Sequence, residues 1–453
     1  MAIRKTLVVM SSLALAACLL LTLPCFAGSQ VRIVRLSDVE GIVQINRNTR
    51  GFEKAFLNLP ITQGNQVRTL NDGRAVVEFE EGIALRMPPD TTSEFLQLSL
   101  DDSGKRVSNV RLQSGELYVE FKDPKNDQLT LSFGREMIVF TQPAHLRVTV
   151  ADENVTVAVF SGEVSVEAPS GKVQVAKNRT AIFNLADGSD SNKVAKDIEP
   201  EPYDAWDKQQ DRYQQRYSND LVASSSPYSY GSADLSYYGT YFNTPGYGLM
   251  WQPYFAGAGW NPFMDGAWAL YPGAGYGWVS AYPWGWMPYH SGSWAFIPGR
   301  GWAWQPGGTW MAVSSPRVLN APANFVAPKP PTTATQSVVV VSRNPSSVFA
   351  GKSTSRVVIR NDSAGLGIPR GEVNNLAQMS ERVNTQGAIT AKVHAAPVQT
   401  RQWEPRGWPG ANPGGVSSSP YPARGANAGT NAGMSHPAGP TVHPSPAGRG
   451  SKN

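Results

Sequence analysis

No cysteine follows Cys25 in this chain of 453 residues, so beyond the N-terminal leader there is no disulfide framework, thiol nucleophile or zinc-thiolate site. Charge is scarce too: Asp, Glu, Lys and Arg make up 17% of the chain, and between Pro245 and Met311 only Asp265 and Arg300 carry any. The net charge of +5 is too diffuse for a nucleic-acid footprint. The five histidines, His145, His290, His394, His436 and His443, fall into no metal spacing. A nucleophile elbow and a phosphate loop are both missing, since "SGKV" near Lys172 lacks the earlier glycine and the Ser or Thr after lysine. These absences predict a chain with no catalytic, cofactor-binding or metal-binding site, and no nucleic-acid partner.

What is present starts with one apolar run, Leu7 to Leu23, behind Arg4 and Lys5 and ahead of "PCFAG". This reads as a secretory signal peptide over residues 1–27, cleaved after Ala27. Two alternatives stay open. "LAAC" at Leu15 to Cys18 resembles a lipoprotein processing box with Cys18 as the lipidated residue, and the run is almost long enough to span a bilayer uncleaved. Membrane contact is expected only through such a leader. A large exported chain without disulfides suits the periplasm or cell surface of a bacterium.

From residue 28 to 198 the pattern is short apolar runs at period two, such as "AVVEFEEGIALRM" (Ala75 to Met87), "LTLSFGREMIVF" (Leu129 to Phe140) and "VTVAVFSGEVSVEA" (Val155 to Ala168). Gly, Asn or Asp separates them every eight to twelve residues, which predicts an antiparallel β-sandwich or jelly-roll-like domain. "SGELYVE" (Ser114 to Glu120) and "SGEVSVE" (Ser161 to Glu167) repeat one another. Gly115 and Gly162 should take the positive backbone angle of a tight turn, and Glu116, Glu120, Glu163 and Glu167 should face solvent or a sheet edge.

The order "GIVQINR", "GNQVRT" (Gly64 to Thr69), the strand pair around Gly82, and the two "SGE" turns resembles the FecR domain, an extracytoplasmic β-domain of bacterial envelope proteins. The resemblance covers roughly Ile33 to Leu185. It implies an envelope β-module that contacts a partner protein or polymer. The signalling regulators of that family carry a cytoplasmic segment, a membrane span and a C-terminal receptor module; this chain departs from that plan, so iron signalling is not carried over.

Residues 199–222 predict a connector helix, with acids early and Arg late, and with Tyr203, Trp206, Tyr213 and Tyr217 on one face that docks on the sandwich. Residues 223–244 read as a Ser/Tyr/Gly linker. In the block 245–311, ten tryptophans lie between Trp251 and Trp310. "GWNPFMDGAWALYPGAGYGW" (Gly259 to Trp278) and "GWMPYHSGSWAFIPGRGWAW" (Gly285 to Trp304) share ten of twenty positions, and "WQPYFAGAGW" from Trp251 looks like the remnant of a third copy. The unit predicted is a small hairpin turned at Pro272-Gly273 and Pro298-Gly299.

So many rings exceed what two small hairpins bury, so some should be exposed. The candidate ligand-binding rings are Trp251, Trp260, Trp268, Trp286 and Trp294. The opening G-W-x(5)-G-x-W, at Trp260, Gly266 and Trp268 and again at Trp286, Gly292 and Trp294, is similar to the aromatic repeats of choline- and glucan-binding cell-wall proteins. The whole arrangement looks closer to an uncharacterised tryptophan-rich family of FecR-associated envelope proteins.

Residues 312–395 read as a linker with two strands, "SVVVVSR" (Ser337 to Arg343) and "SRVVIRND" (Ser355 to Asp362), and a short helix over Gly371 to Val383. Residues 396–453 read as a disordered tail. The expected function is that of a noncatalytic envelope protein presenting an aromatic repeat to a cell-wall glycan or a protein partner. The alternative is a signalling or structural module that works through the FecR-like domain, with the tryptophan block purely structural.

Overall fold

The structure, a computed structural model, describes residues 32, 34–47, 51–80, 82–151, 154–184, 192–218, 231–271, 274–307, 317–333, 338–340 and 355–398. The leader 1–27, Trp310 and the tail beyond 398 lie outside them.

The expected β domain is present, and its alternating runs become two sheets that share one long strand, Arg106–Phe121. The first half of that strand pairs with Thr92–Leu100 in one sheet, and the second half with Ala144–Val150 in the other. All pairings in the domain are antiparallel except Asp127–Phe133, which runs parallel to Arg106–Leu112. Val, Leu, Ile and Phe from both sheets, among them Val77, Leu85, Phe95, Leu117, Leu131, Val148 and Val157, form one aliphatic core.

The two "SGE" glycines do have positive φ, 86° at Gly115 and 77° at Gly162. They do not close hairpins. Each sits where the chain bends out of one sheet into the other: at Gly115 between the two halves of the long strand, and at Gly162 between Asn154–Ser161 and Glu163–Ala168. A Cβ would stand 2.5 Å from the Asp90 carbonyl oxygen at the first bend and 2.3 Å from that of Pro143 at the second. Glycine is therefore required by both angle and space.

The connector helix, Asp204–Tyr217, crosses the outer face of the sheet that holds Ala144–Val150. Of the residues read as linker, 223–230 lie outside the described residues and the rest fold: Ser232–Tyr238 is a short helix and Gly239–Thr244 a strand. That strand opens a third hairpin, whose repeat pattern lies before the expected remnant "WQPYFAGAGW" and shares only Trp251 with it. "GTYFNTPGYGLMW" (Gly239 to Trp251), "GAWALYPGAGYGW" (Gly266 to Trp278) and "GSWAFIPGRGWAW" (Gly292 to Trp304) are three hairpins of one pattern.

In each hairpin the third residue, Tyr241, Trp268 or Trp294, pairs across the strands with the closing tryptophan. The closing indole lies over the opening glycine. A Cβ would meet the Trp251 ring at 2.3 Å from Gly239, the Trp278 ring at 2.4 Å from Gly266, and the Trp304 ring nitrogen at 2.6 Å from Gly292. The spacing of glycine and tryptophan is thus a packing rule written three times.

The first and third hairpins join edge to edge through Trp251 and Trp304, and Arg317–Leu319 extends their sheet. The second hairpin pairs with Val338–Val340, part of the predicted "SVVVVSR" strand. Its two faces differ: Ala269 and Val279 enter the aliphatic core of the sandwich, while Trp268 and Trp278 enter an aromatic core on the other side. It is a partition wall between two cores, which is why it reads as nearly all apolar. Residues 355–398 close the aromatic core with Ile359, Ile368, Val373, Leu376 and Val383. Their strand Arg356–Arg360 pairs with a later strand, Ala388–Lys392, and the helix spans Leu376–Gln386.

Candidate functional site

The nine described tryptophans of the repeat block are all buried, the most accessible being Trp302 at 4%. Trp251, Trp260, Trp268, Trp286 and Trp294 are among them, so none of the five candidate rings is a surface platform, and the expectation that some would be exposed is corrected. The physical reason is that three hairpins, two helices and the 355–398 segment, rather than two hairpins, supply the area to cover them.

Trp284 sits near the middle, stacked on Tyr282 at 5.1 Å and tilted against Trp251 at 4.8 Å and Trp294 at 5.9 Å. Five of the indole N–H groups act as staples between segments. Trp251 donates to the Leu235 carbonyl, Trp260 to the Tyr282 hydroxyl, Trp284 to the Ala364 carbonyl, Trp294 to that of Pro288 and Trp304 to that of Ser291.

The polar chemistry lies instead along the connector helix. The outer face of the sheet beneath it carries a row Arg86, Tyr118 and Arg147 across three strands, and beside it Glu120 opposite His145. From the helix come Asp204, Asp207 and Asp211, spaced three and four apart and so on one stripe. Asp204 accepts from the Tyr118 hydroxyl at 2.8 Å and from Arg147. Arg86 donates to Asp207, to Asp211 and, at 2.9 Å, to Glu120. His145 Nε2 stands 3.0 Å from Asp207 Oδ2, and its Nδ1 3.5 Å from Asp211 Oδ2.

Glu116 and Glu120 are consequently not solvent-facing: their side chains are 14% and 12% exposed and are held by Arg147 and Arg86. Burial raises the Glu116 carboxyl to about 7, against the lowering pull of Arg147. Glu163 is exposed and Glu167 is 39% exposed beside Lys172, in keeping with the surface reading.

At the far end of the helix four buried charges close into a ring. Arg35 donates to Glu78 at 2.7 Å and to Asp234 at 3.0 Å; Arg370 reaches Glu78 at 2.8 Å and Asp234 at 2.9 Å. Asn58 accepts from Arg35 and donates to the carbonyls of Ser280 and Tyr282, while Tyr213 donates to Asp234 and Gln214 to Glu78. Burial would raise the Glu78 carboxyl, but Arg370 and Arg35 hold it down at about 2.

Arg35 and Glu78 belong to the sandwich, Asp234 to the helix before the first hairpin, and Arg370 to the closing segment. The ring therefore bolts the two cores together. Sequence reading missed it because its members are scattered over the chain, with bonded partners 43 to 292 positions apart. The acidic stripe of the helix was readable, at 204, 207 and 211, as a face needing cations.

Chemically, these groups can hold protons and fix an interface. His145, Asp207 and Asp211 bring their ligand atoms within 4.8 Å of one another, the one group of metal-ligating type among the described residues. Beneath the helix start, a groove of about 380 Å³ is lined by Phe160, Ile198, Pro200, Lys208 and Arg212 among others.

Comparison with known proteins places a FecR domain at residues 65–165, described as FecR protein, and a match to a family of unknown function, DUF6600, at residues 232–324. The second match begins where the short helix before the first hairpin begins. Two crystal structures of one protein from Parabacteroides distasonis ATCC 8503, provisionally assigned as an anti-sigma factor and solved at 1.65 and 2.50 Å, match with 15% identity and a TM-score of 0.27. Each match covers 31% of this chain and 63% of that one, so the chain spans under two thirds of that protein's length. No curated protein matches. No helix among the described residues is long and apolar enough to cross a membrane.

Proposed function

We propose that this chain is a noncatalytic, exported protein of a bacterial envelope, in which the FecR domain and the aromatic hairpins act as one scaffold that holds a protein partner. The observation that carries the reading is the burial of all nine described block tryptophans together with the bolt Arg35, Glu78, Asp234 and Arg370. An aromatic block built to stack on sugars keeps ring faces open, whereas one spent on a core stiffens its neighbour. The second hairpin, with one face in each core, favours the same reading. A partner would then engage the outside of the sandwich beyond the matched FecR residues, where Ile42 and Val194 are large apolar side chains 46% and 42% exposed.

The test is photo-crosslinking in whole cells from a reactive residue placed at Ile42 or Val194 of the full chain. A discrete protein adduct is expected. Absence of such an adduct, combined with retention of the purified chain on insoluble cell-wall material and its release by soluble glycan, would replace this reading with the glycan one.

A further inference from the structure

We infer that His145 is a pH-operated latch for the connector helix, closed when its ring is an imidazolium. Both ring nitrogens face carboxylate oxygens of the helix, Nε2 toward Asp207 and Nδ1 toward Asp211. A neutral imidazole has one N–H and one lone pair, so one of its nitrogens would turn a lone pair toward a carboxylate; the imidazolium offers an N–H to each.

The surrounding charges require the same state. From the sheet come Arg86, Glu120, which lies directly opposite His145, and Lys122, which pairs with Glu120. From the helix come Asp207 and Asp211. Two cations against three anions leave one negative charge in excess, and protonated His145 balances it. On its remaining side the ring meets Phe160 at 5.1 Å, which brings no charge. Arg147, Glu116 and Asp204 form a separate group one row along the sheet.

Arg86 already donates to both aspartates, so the cationic place that a metal ion would take is filled by protein. Burial by itself lowers the basicity of His145, but its hydrogen bond to the Asp207 carboxylate and the charges of Asp207 and Asp211 outweigh it and raise the ring above the ordinary 6.5, with Arg86 opposing. A raised folded value means the latch is fully closed below the ordinary value and is lost as pH rises through the raised one. The helix so held is the covalent joint between the two cores.

Hydrogen exchange of residues 204–217 in the full chain, at about pH 6 and about pH 8.5 and corrected for intrinsic rates, tests this. The wild type should open more at the higher pH, about tenfold for each unit by which the ring is raised. His145→Gln should keep only the smaller pH difference that raised carboxyls such as Glu116 contribute, and Asp211→Asn should shrink the difference. Persistence of the full pH dependence in His145→Gln overturns the latch and assigns the effect to a neighbouring carboxyl such as Glu116. Should His145→Gln fail to fold, NMR titration of the wild-type ring decides: titration above the ordinary histidine value supports the latch, and titration at or below it overturns it. Closure at high pH that zinc restores and chelation removes would make the trio a metal site and overturn the latch.

Discussion

The two cores of this protein solve the same problem with different materials. The sandwich has strands up to sixteen residues long and buries Val, Leu, Ile and Phe between two sheets. The hairpins beyond it have strands of five or six residues in small separate sheets of three and five strands. They use indole and phenol rings, each burying about 150 to 250 Å². Rings also bring N–H groups, and five of the indole N–H groups become staples between segments. The core side chains of the sandwich contribute apolar area, whereas those of the hairpins contribute area and directed hydrogen bonds as well.

The sharpest break in that contrast is Trp284→Ala. It removes the central ring and the bond to the Ala364 carbonyl, so chemical denaturation should show a loss of about 3 to 5 kcal/mol. A loss under about 1 kcal/mol would mean the aromatic unit is loosely packed.

Next comes the bolt. Asp234→Ala leaves Arg35 and Arg370 buried with one acid between them, and a loss of about 3 kcal/mol is expected. Calorimetry should also resolve two transitions where the wild type gives one. A single, unshifted transition would show that the cores are coupled by other means.

Smaller again is the glycine rule. Gly266→Ala drives a methyl group into the Trp278 ring and should cost about 1 to 3 kcal/mol. Gly246→Ala, at a hairpin tip with φ of 80° and open space around it, should cost about 1 kcal/mol from strain alone. Equal losses in thermal unfolding would remove the claim that glycine seats the closing tryptophan.

A separate effect is on pH. Burial raises Asp38 to about 8, with Glu40 adding to the rise, and burial raises Glu372 and Glu116 to about 7. For groups raised above their unfolded values, stability is full below about 4.5 and is lost as pH climbs through 7 to 8. Glu78 works the other way, its contribution full above its unfolded value and lost as pH falls toward 2. Melting temperature should therefore peak on the acid side of neutrality and decline to pH 8. A flat or rising profile over that range would count against these burials.

Much of this architecture was legible. Alternation found the sandwich strands, and the "SGE" repeat found both positive-φ glycines, though local spacing does not distinguish a hairpin turn from a bend between sheets. Alternation also put Glu116 and Glu120 on the outer face; what it could not supply is that a helix covers that face. The first hairpin escaped notice because Tyr241 stands where its siblings have tryptophan, and because the Ser/Tyr-rich stretch before it mimics a linker. The charged ring joins positions 35, 78, 234 and 370, a proximity only the fold creates.

The central claim is that the tryptophans are core. Iodide quenching of fluorescence tests it most directly, using the full chain with Trp310, Trp403 and Trp408 changed to Phe so that only the ten described rings emit. Blue-shifted emission with little quenching in the native state, and strong quenching after denaturation, is the predicted result. Strong quenching of the native protein would contradict the account and return the rings to the surface.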